Sequence, residues 1–298
     1  MMQSGARRFA CTSCGRCCNR GPEMELSEAT ALAGTFVTSL LFRVHSLPAS
    51  DRSGWAKQWW DKSGSRIPIR PALEEARRHL GHFASRKRAD KLRDRQLFLD
   101  ISAIVDDDGE GRCPALIGNL CGIYETRPIT CRTVPMHYSR APSTLQNGLD
   151  QFTSTSGYEC DTGPAAPIIL DGNRVVDDAI GTSRDQAIAT AKADRTWKDR
   201  IVAFIDDGDR AARVGLPSFE AILAHSDSGY ATMLPMIVAW RVAAIEGIIS
   251  PEQFEEVCRQ QAALIKGRIA RNVRGTVSGE LLGALAAYQA ESSKVPAR

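Results

Sequence analysis

Short apolar runs in the middle of the chain have the pattern of β-strands. Leu97 to Val105 alternates apolar and polar positions and ends at Asp106-Asp107-Asp108-Gly109, a run of turn-forming residues. Residues 168–176 form a second short run around Asp171-Gly172, a pair that favours a tight hairpin turn. The pattern therefore predicts one strand and one small hairpin.

Helical spacing dominates from about Ser183 onward. The clearest helix start is Ser250-Pro251-Glu252-Gln253, with a serine N-cap, proline at the first position and glutamine at the third. The apolar face of this helix is formed by Phe254, Val257, Cys258, Ile265 and Ile269. Earlier in the chain, Ser27 is a candidate N-cap of a short helix, and Leu73 to Arg95 is predicted as a strongly basic helix.

The longest apolar stretch, Tyr230 to Ile249, needs an explanation because it approaches the length of a membrane span. Arg241 and Glu246 interrupt it, and charges at such positions are costly in hydrocarbon. A helix buried in a protein core accounts for the stretch better. We therefore expect no membrane partner.

Together these patterns predict an α+β fold that is predominantly helical. We expect a loop-rich cysteine core with a short β-hairpin, followed by a helical carboxy-terminal region. The proposed boundary lies near residues 162–167, Thr-Gly-Pro-Ala-Ala-Pro, and divides the chain into a cysteine domain (1–165) and a helical domain (166–298). Within the first domain, residues 45–95 form a basic, tryptophan-bearing insertion that we expect to pack over the cysteine core.

Composition adds one decisive feature, which is cysteine. The 298 residues are 43% hydrophobic and 24% charged with a net charge of +3, ordinary values for a globular protein. Eight of the nine cysteines lie before residue 161. The first residues lack the apolar stretch of a secretory signal peptide, so we expect a cytoplasmic protein. Thiols in a reducing compartment are better explained as metal ligands or catalytic groups than as disulfides.

The first cysteine block places four thiols within eight residues, as Cys11-x-x-Cys14-x-x-Cys17-Cys18. Two-residue gaps allow successive thiolates to turn toward one centre, and Gly15 suits the tight loop because glycine tolerates positive φ. The C-x-x-C-x-x-C spacing is that of ferredoxin cluster loops, and paired C-x-x-C units also bind zinc. Adjacent side chains diverge, so Cys17 and Cys18 either divide into a ligand and a spare thiol or bridge two centres.

The second block contains Cys113, Cys121 and Cys131, and Cys160 follows it. Pro128 is predicted at the first position of a helix, which puts Cys131 in the first turn. Exposed backbone amides and the positive end of the helix dipole favour a thiolate there. We expect all eight cysteines before residue 161 to be metal ligands.

These motifs resemble a known family. Phe9-x-Cys11-x-x-Cys14-Gly15-x-Cys17-Cys18, followed by Cys121-x-Ile123-Tyr124-x-x-Arg127-Pro128-x-x-Cys131-Arg132, is similar to the YkgJ-like cysteine-cluster proteins with their CxxCxxCC zinc- or iron-chelating domain. Flagellin lysine methylases look related to that domain. The resemblance covers about residues 7–135 and implies metal binding by the matched cysteines.

Three functions remain open at this point. The first is an iron–sulfur protein, with a 4Fe-4S cluster favoured over zinc because the spacing is ferredoxin-like and histidines are scarce. The second is a cluster-dependent, methylase-like modifying enzyme, which rests on the resemblance alone; the residues do not decide whether the protein is an enzyme. The third is a zinc-stabilised interaction module.

Several charged groups are candidates to surround the site. Arg7, Arg8, Arg16 and Arg20 could offset the negative charge of a thiolate-ligated cluster, and among the histidines His137 is the candidate to approach it. The basic segment from Arg77 to Arg95 could contact an acidic protein or nucleic acid, although such runs are more often solvated helix faces. The sequence does not identify the protein or small-molecule partner.

Overall fold

The computed structural model describes residues 5–18, 21–64, 67–108, 110–271 and 279–292. The strands are β1 (Arg7–Arg8), β2 (Glu23–Met24), β3 (Thr38–Pro48), β4 (Arg86–Asp90), β5 (Arg95–Val105), β6 (Leu116–Ile117), β7 (Leu120–Cys121), β8 (Ile168–Asp171), β9 (Arg174–Val175) and β10 (Thr232–Pro235). Short 3₁₀ helices cover Arg16–Cys18, Tyr124–Thr126 and Pro142–Thr144.

The described residues also form twelve α-helices. They are α1 (Leu26–Ala31), α2 (Ala56–Ser63), α3 (Ile69–Phe83), α4 (Ile129–Arg132), α5 (Leu145–Thr153), α6 (Asp178–Ala193), α7 (Arg195–Asp206), α8 (Gly208–Val214), α9 (Phe219–Asp227), α10 (Ile237–Ile245), α11 (Pro251–Arg271) and α12 (Gly279–Ser292). Helix makes up 50% and strand 17%, which confirms the predicted α+β, mostly helical class.

The chain divides into two compact units, each built from three separate segments. Unit 1 comprises Met1–Pro22, His45–Asp100 and Ala115–Ala193, and unit 2 comprises Glu23–Val44, Ile101–Pro114 and Asp194–Arg298. The long strands β3 and β5 pass from one unit into the other. Because the units are discontinuous, they do not coincide with the continuous ranges 1–165 and 166–298, which stay a prediction.

Every paired strand in the sheets is antiparallel where its register is defined. One sheet has the order β10-β3-β5-β2, and β4 pairs separately with β5; a second has the order β1-β8-β9; β6 and β7 form a hairpin. The predicted hairpin is confirmed as β8–β9, with Gly172 at φ 58° in its turn. The predicted strand is confirmed as β5, while Gly109 of its predicted turn lies outside the described residues.

Unit 1 contains several small hydrophobic clusters. One cluster lies beneath the β1-β8-β9 sheet and contains Phe9, Met136, Leu145, Leu149, Ile169 and Leu170. Another contains Phe83, Ile129, Tyr138, Ala187 and Ala191, and a third contains Leu47, Leu73, Ala84 and Phe98. Trp59 of the insertion packs against the third cluster.

Unit 2 buries larger side chains more completely. Trp240, Phe36, Phe42, Phe204 and Tyr288 are each at most 2% exposed. The stretch from Tyr230 to Ile249 forms β10 and then α10, whose residues are mostly buried, so the predicted core helix occupies only the second part. Among the described helices, none combines the length and apolar character needed to cross a bilayer.

The two other helix predictions had different outcomes. Ser250 accepts a hydrogen bond from the Gln253 amide at 3.2 Å and its own amide donates to the Gln253 side chain at 2.9 Å, so the predicted cap is confirmed. Helix α1 begins at Leu26 with Glu25 as its N-cap, and therefore Ser27 lies inside the first turn. There the Ser27 amide donates to the carboxylate of Asp194 at 2.8 Å.

The predicted basic helix over Leu73–Arg95 is wrong in its second half. Helix α3 ends at Phe83, and the next residues form β4, which pairs with β5 from Arg86↔Leu99 to Asp90↔Arg95. The reason is pairing with the next strand of the chain: β5 has an open edge, and the segment just before it forms backbone hydrogen bonds with that edge. The resulting β4–β5 hairpin turns through residues 91–94.

Candidate metal centre

The cysteine loop is held at its start by backbone pairing within unit 1. The Phe9 amide donates to the Pro167 carbonyl at 3.1 Å, and Ala10 and Asp161 exchange two hydrogen bonds at 2.8 and 3.1 Å. Phe9 itself is buried, so the strand is anchored by packing as well. Because Ala10 pairs with Asp161 in antiparallel fashion, the next residue of one strand, Cys11, lies beside the preceding residue of the other, Cys160.

The loop between the thiols has a compact backbone with two residues at positive φ. Ser13 has φ 59° and Gly15 has φ 72°. The Ser13 amide points back to the Cys11 sulfur at 3.4 Å, and the Cys18 amide donates to the Gly15 carbonyl at 3.2 Å. Backbone amides that point at cysteine sulfur are typical contacts of metal-binding cysteine loops.

The β6–β7 hairpin lies against this loop at Gly15. A β-carbon on Gly15 would come within 3.0 Å of the Asn119 carbonyl oxygen and 3.2 Å of its α-carbon. Glycine is therefore required here for two reasons, positive φ and close backbone approach. The contact brings the strand that ends at Cys121 to the cysteine loop.

Two of the loop thiols have lowered pKa values. Contrary to the predicted divergence of adjacent side chains, the Cys18 thiol donates a hydrogen bond to Cys17, and this bond is the main cause that lowers the pKa of Cys17 to about 7. Backbone hydrogen bonds at Arg16 and then Glu159 lower the pKa of Cys14. Both sulfurs are therefore better ligands and nucleophiles than an ordinary cysteine at neutral pH.

Cys160 shows that several thiols share one neighbourhood. Its pKa is raised, first by burial and then by the negative charges of Cys17, Cys14 and Cys11. The Thr12 hydroxyl donates to the Glu159 carbonyl at 2.6 Å, which fixes the segment before Cys160 against the loop. Cys160 also packs on the cluster around Phe9. The fold thus brings Cys160 beside Cys11 and within electrostatic range of Cys14 and Cys17.

The cysteines have the donor atoms that a thiolate-bound metal needs, but the described side chains are not arranged around one point. All nine cysteines are in the thiol form. Within the ranges that the structure describes, no three His, Cys, Asp or Glu side chains are gathered closely enough to hold one metal ion. Binding a metal would therefore require the loop thiols to rotate toward a common point, which a cysteine can do about its single χ1 bond.

The remaining cysteines have separate positions. Cys131 lies in α4, after Pro128 at the cap, so its predicted place in the first turn is confirmed. Cys113 is partly exposed and belongs to unit 2, whereas Cys121 and Cys131 belong to unit 1. Cys258 is fully buried in α11, and burial raises its pKa to about 12.

The charged groups predicted to surround the site are mostly engaged elsewhere. The Arg7 guanidinium donates to the Asp150 carboxylate at 2.8 Å, and Arg8 donates to the Ala166 carbonyl at 2.6 Å. Arg16 is exposed at the first residue of the 3₁₀ helix, and Arg20 lies outside the described residues. In His137, the Nδ1 atom is 2.7 Å from the Ser139 hydroxyl and the ring stacks on Tyr138.

Three contributors to the site could not be named from the sequence. Thr12, Asn119 and the Glu159 backbone take part through contacts between segments far apart in the chain. The one available signal was Gly15 inside the motif, which indicates close approach of another backbone without identifying it.

Comparisons with protein-family models, with curated proteins and with solved structures found no match for this chain. The function proposed below is therefore supported by the residues and their geometry.

Proposed function

We propose that this protein is a metal-binding protein whose loop Cys11–Cys18 and Cys160 bind an iron–sulfur cluster, with 4Fe-4S as the favoured type. The central ligand set in this proposal is Cys11, Cys14, Cys17 and Cys160. Cys18, Cys113, Cys121 and Cys131 stay predicted ligands from their motif positions.

The observation that carries the proposal is the antiparallel Ala10–Asp161 pairing, which places Cys160 beside Cys11 at the start of the loop. The thiolates of Cys17, Cys14 and Cys11 raise the pKa of Cys160 after burial does, and a cation bound there would offset that repulsion. The Ala10–Asp161 pairing explains how a residue so distant in sequence reaches the loop.

The C-x-x-C-x-x-C spacing and the scarcity of histidines favour a cluster over zinc. The Ser13 amide that points at the Cys11 sulfur is compatible with either metal. Zinc remains the alternative because four thiolates also suit a tetrahedral zinc site. A reducing, cytoplasmic setting is part of the proposal, because thiolate ligation needs cysteines that are not oxidised.

The test is anaerobic purification followed by measurement of iron, acid-labile sulfide and zinc, with a visible spectrum before and after reduction. We expect iron and sulfide in equal amounts and an absorbance band that bleaches on reduction. Zinc alone, with no colour after reconstitution with iron and sulfide, would replace the cluster by a structural zinc site.

Variants test the ligand set directly. Cys14→Ser and Cys160→Ser should each remove most of the bound metal. Cys258→Ala is the matched control, because Cys258 is a buried core thiol in the other unit and should leave the metal content unchanged. Full metal content in Cys160→Ser would show that the proximity of Cys160 to the loop is structural only.

A further inference from the structure

A second feature of unit 1 lies outside the cysteine loop, at the end of the β4–β5 hairpin. Leu92, in the turn, is 99% exposed. Single exposed leucines are common on protein surfaces and need no explanation by themselves. The setting of Leu92 is different, because the turn that carries it is held in place and is surrounded by basic side chains.

The turn is fixed on both sides. Arg95 closes the hairpin through an ion pair with Asp90 at 2.7 Å in which both side chains are less than 20% exposed, and the Arg93 amide donates to the same carboxylate at 3.3 Å. Asp94 has φ 50°. Its carbonyl accepts hydrogen bonds from the Ala49 amide at 3.0 Å and the Trp55 indole at 3.1 Å. Leu92 is therefore presented on an ordered support.

The indole contact brings a second amphipathic group to the same place. Trp55 is half-buried and lies immediately before α2, with its indole nitrogen bound to the turn. Tryptophan is enriched where an apolar layer meets water, because it has an apolar body and a polar N–H. Leu92 and Trp55 thus form the apolar part of what we call the basic tip.

Positive charge predominates in the basic tip. Across residues 49–63 and 86–95 there are nine lysines and arginines against four aspartates. The exposed basic members on these segments include Arg52, Lys57, Lys87, Arg88, Lys91 and Arg93. Among the aspartates, Asp90 is already paired with Arg95. The surface therefore favours an anionic partner.

We infer that the basic tip docks on an anionic phospholipid surface, with Leu92 entering the acyl boundary and Trp55 at the headgroup level. A bilayer has anionic headgroups that attract the basic side chains and, just beneath them, a hydrocarbon layer that Leu92 can enter. The phosphates of a nucleic-acid duplex would also attract the basic side chains, but Leu92 would contribute to binding there only by separating base pairs. Surface docking needs no spanning helix, so this inference revises the expectation of no membrane partner.

The experiment is co-sedimentation of the full chain with phosphatidylcholine vesicles that contain or lack phosphatidylserine. Binding is expected only with phosphatidylserine and should weaken as salt is raised. Leu92→Asp should weaken binding about tenfold or more, which corresponds to the transfer of a leucine side chain from hydrocarbon to water. Leu282→Asp is the matched control, since Leu282 is also exposed but lies in α12 of unit 2.

Two further readouts separate lipid docking from other outcomes. Lys87→Glu/Lys91→Glu should abolish vesicle binding, whereas Lys266→Glu/Arg271→Glu, at exposed positions of α11, should not. The tryptophan emission should shift to the blue on vesicles, and Trp55→Phe should reduce that shift. No binding to phosphatidylserine vesicles at low salt, or equal binding by Leu92→Asp, would overturn the inference. Tight binding to duplex DNA that is indifferent to Leu92→Asp would likewise overturn it in favour of nucleic acid.

Discussion

Cys17 in unit 1 and Cys258 in unit 2 are the same residue in opposite surroundings. Cys17 is partly exposed, accepts a hydrogen bond from the Cys18 thiol and has a pKa of about 7. Cys258 is fully buried on an apolar helix face, and its pKa is raised to about 12. The first side chain is prepared for ligation or attack by its polar neighbours, while the second fills space in a core.

The same difference extends to the units as wholes. Unit 1 has 23 lysines and arginines against 15 aspartates and glutamates, a net charge of +8; unit 2 has 15 against 20, a net charge of −5. Seven of the nine cysteines belong to unit 1. The small net charge of the whole chain therefore conceals two regions of opposite sign, and the basic region is the one with the candidate sites.

Thiol alkylation tests the contrast where its effect is largest. In reduced, metal-free protein at neutral pH, iodoacetamide should modify Cys17 more than about a thousandfold faster than Cys258, because only Cys17 is substantially ionised and accessible. The Cys17 rate should fall as the pH drops below about 7, the pKa of its thiol. Peptide mass spectrometry gives both rates, with unfolded protein as the reference for equal reactivity.

Cys18→Ala sharpens this prediction. Removing the thiol that hydrogen-bonds Cys17 should move the midpoint of the Cys17 rate to higher pH, since that hydrogen bond is the main cause of the lowered pKa. Rapid labelling of Cys258 in the native protein would contradict the contrast between the units.

The next largest effect is expected inside unit 2, at a buried ion pair. Lys198 Nζ lies 2.7 Å from a Glu25 carboxylate oxygen, with side-chain exposures of 1% and 5%. The contact is a close approach of charges rather than an aligned hydrogen bond. Lys198→Met should lower the free energy of unfolding by about 3–5 kcal/mol, because it leaves the Glu25 carboxylate buried without its cation.

Denaturant unfolding measures this loss, and Lys266→Met is the exposed control in the same unit. The double variant Lys198→Met/Glu25→Gln should recover part of the stability, since neither buried charge then remains. A loss below about 1 kcal/mol in Lys198→Met would show that water reaches the pair.

The smallest of the three effects is the difference in stability between alanine variants at two glycines, one in the β6–β7 hairpin and one in the cysteine loop. Gly118→Ala places a side chain at φ 62° in open space, so only backbone strain of about 1–2 kcal/mol is expected. Gly15→Ala has a similar backbone strain and, in addition, its β-carbon collides with Asn119. We expect it to lower the free energy of unfolding by about 1 kcal/mol more than Gly118→Ala does. Unfolding free energies of the two variants give the difference; equal losses would mean that the β6–β7 hairpin gives way freely.

Local features of the fold were predictable because their causes lie within a few residues. The capping interaction of Ser250 with Gln253, the hairpin at Gly172 and the left-handed glycine at Gly15 all depend on the intrinsic backbone preferences of adjacent residues. The position of Cys131 in a first helical turn followed from Pro128 in the same way.

The segment after Phe83 shows where local reasoning failed. Residues 86–95 contain good helix formers, which is why the sequence predicts that the helix continues through them. The edge of β5 supplied backbone partners for a strand instead, and that pairing outweighed propensity. The exposed Leu92 in an ordered turn exists only because of this change.

By itself, the sequence determined which thiols are present and how they are spaced, the glycine in the loop and the helix start at Ser250. Only the tertiary structure decided which thiols meet and how they ionise. Cys160 reaches the loop through the Ala10–Asp161 pairing, and the pKa of Cys258 is set by burial in unit 2. Residue type determines which bonds a side chain can make. Long-range packing determines its neighbours and its exposure to solvent, and these in turn determine its protonation state.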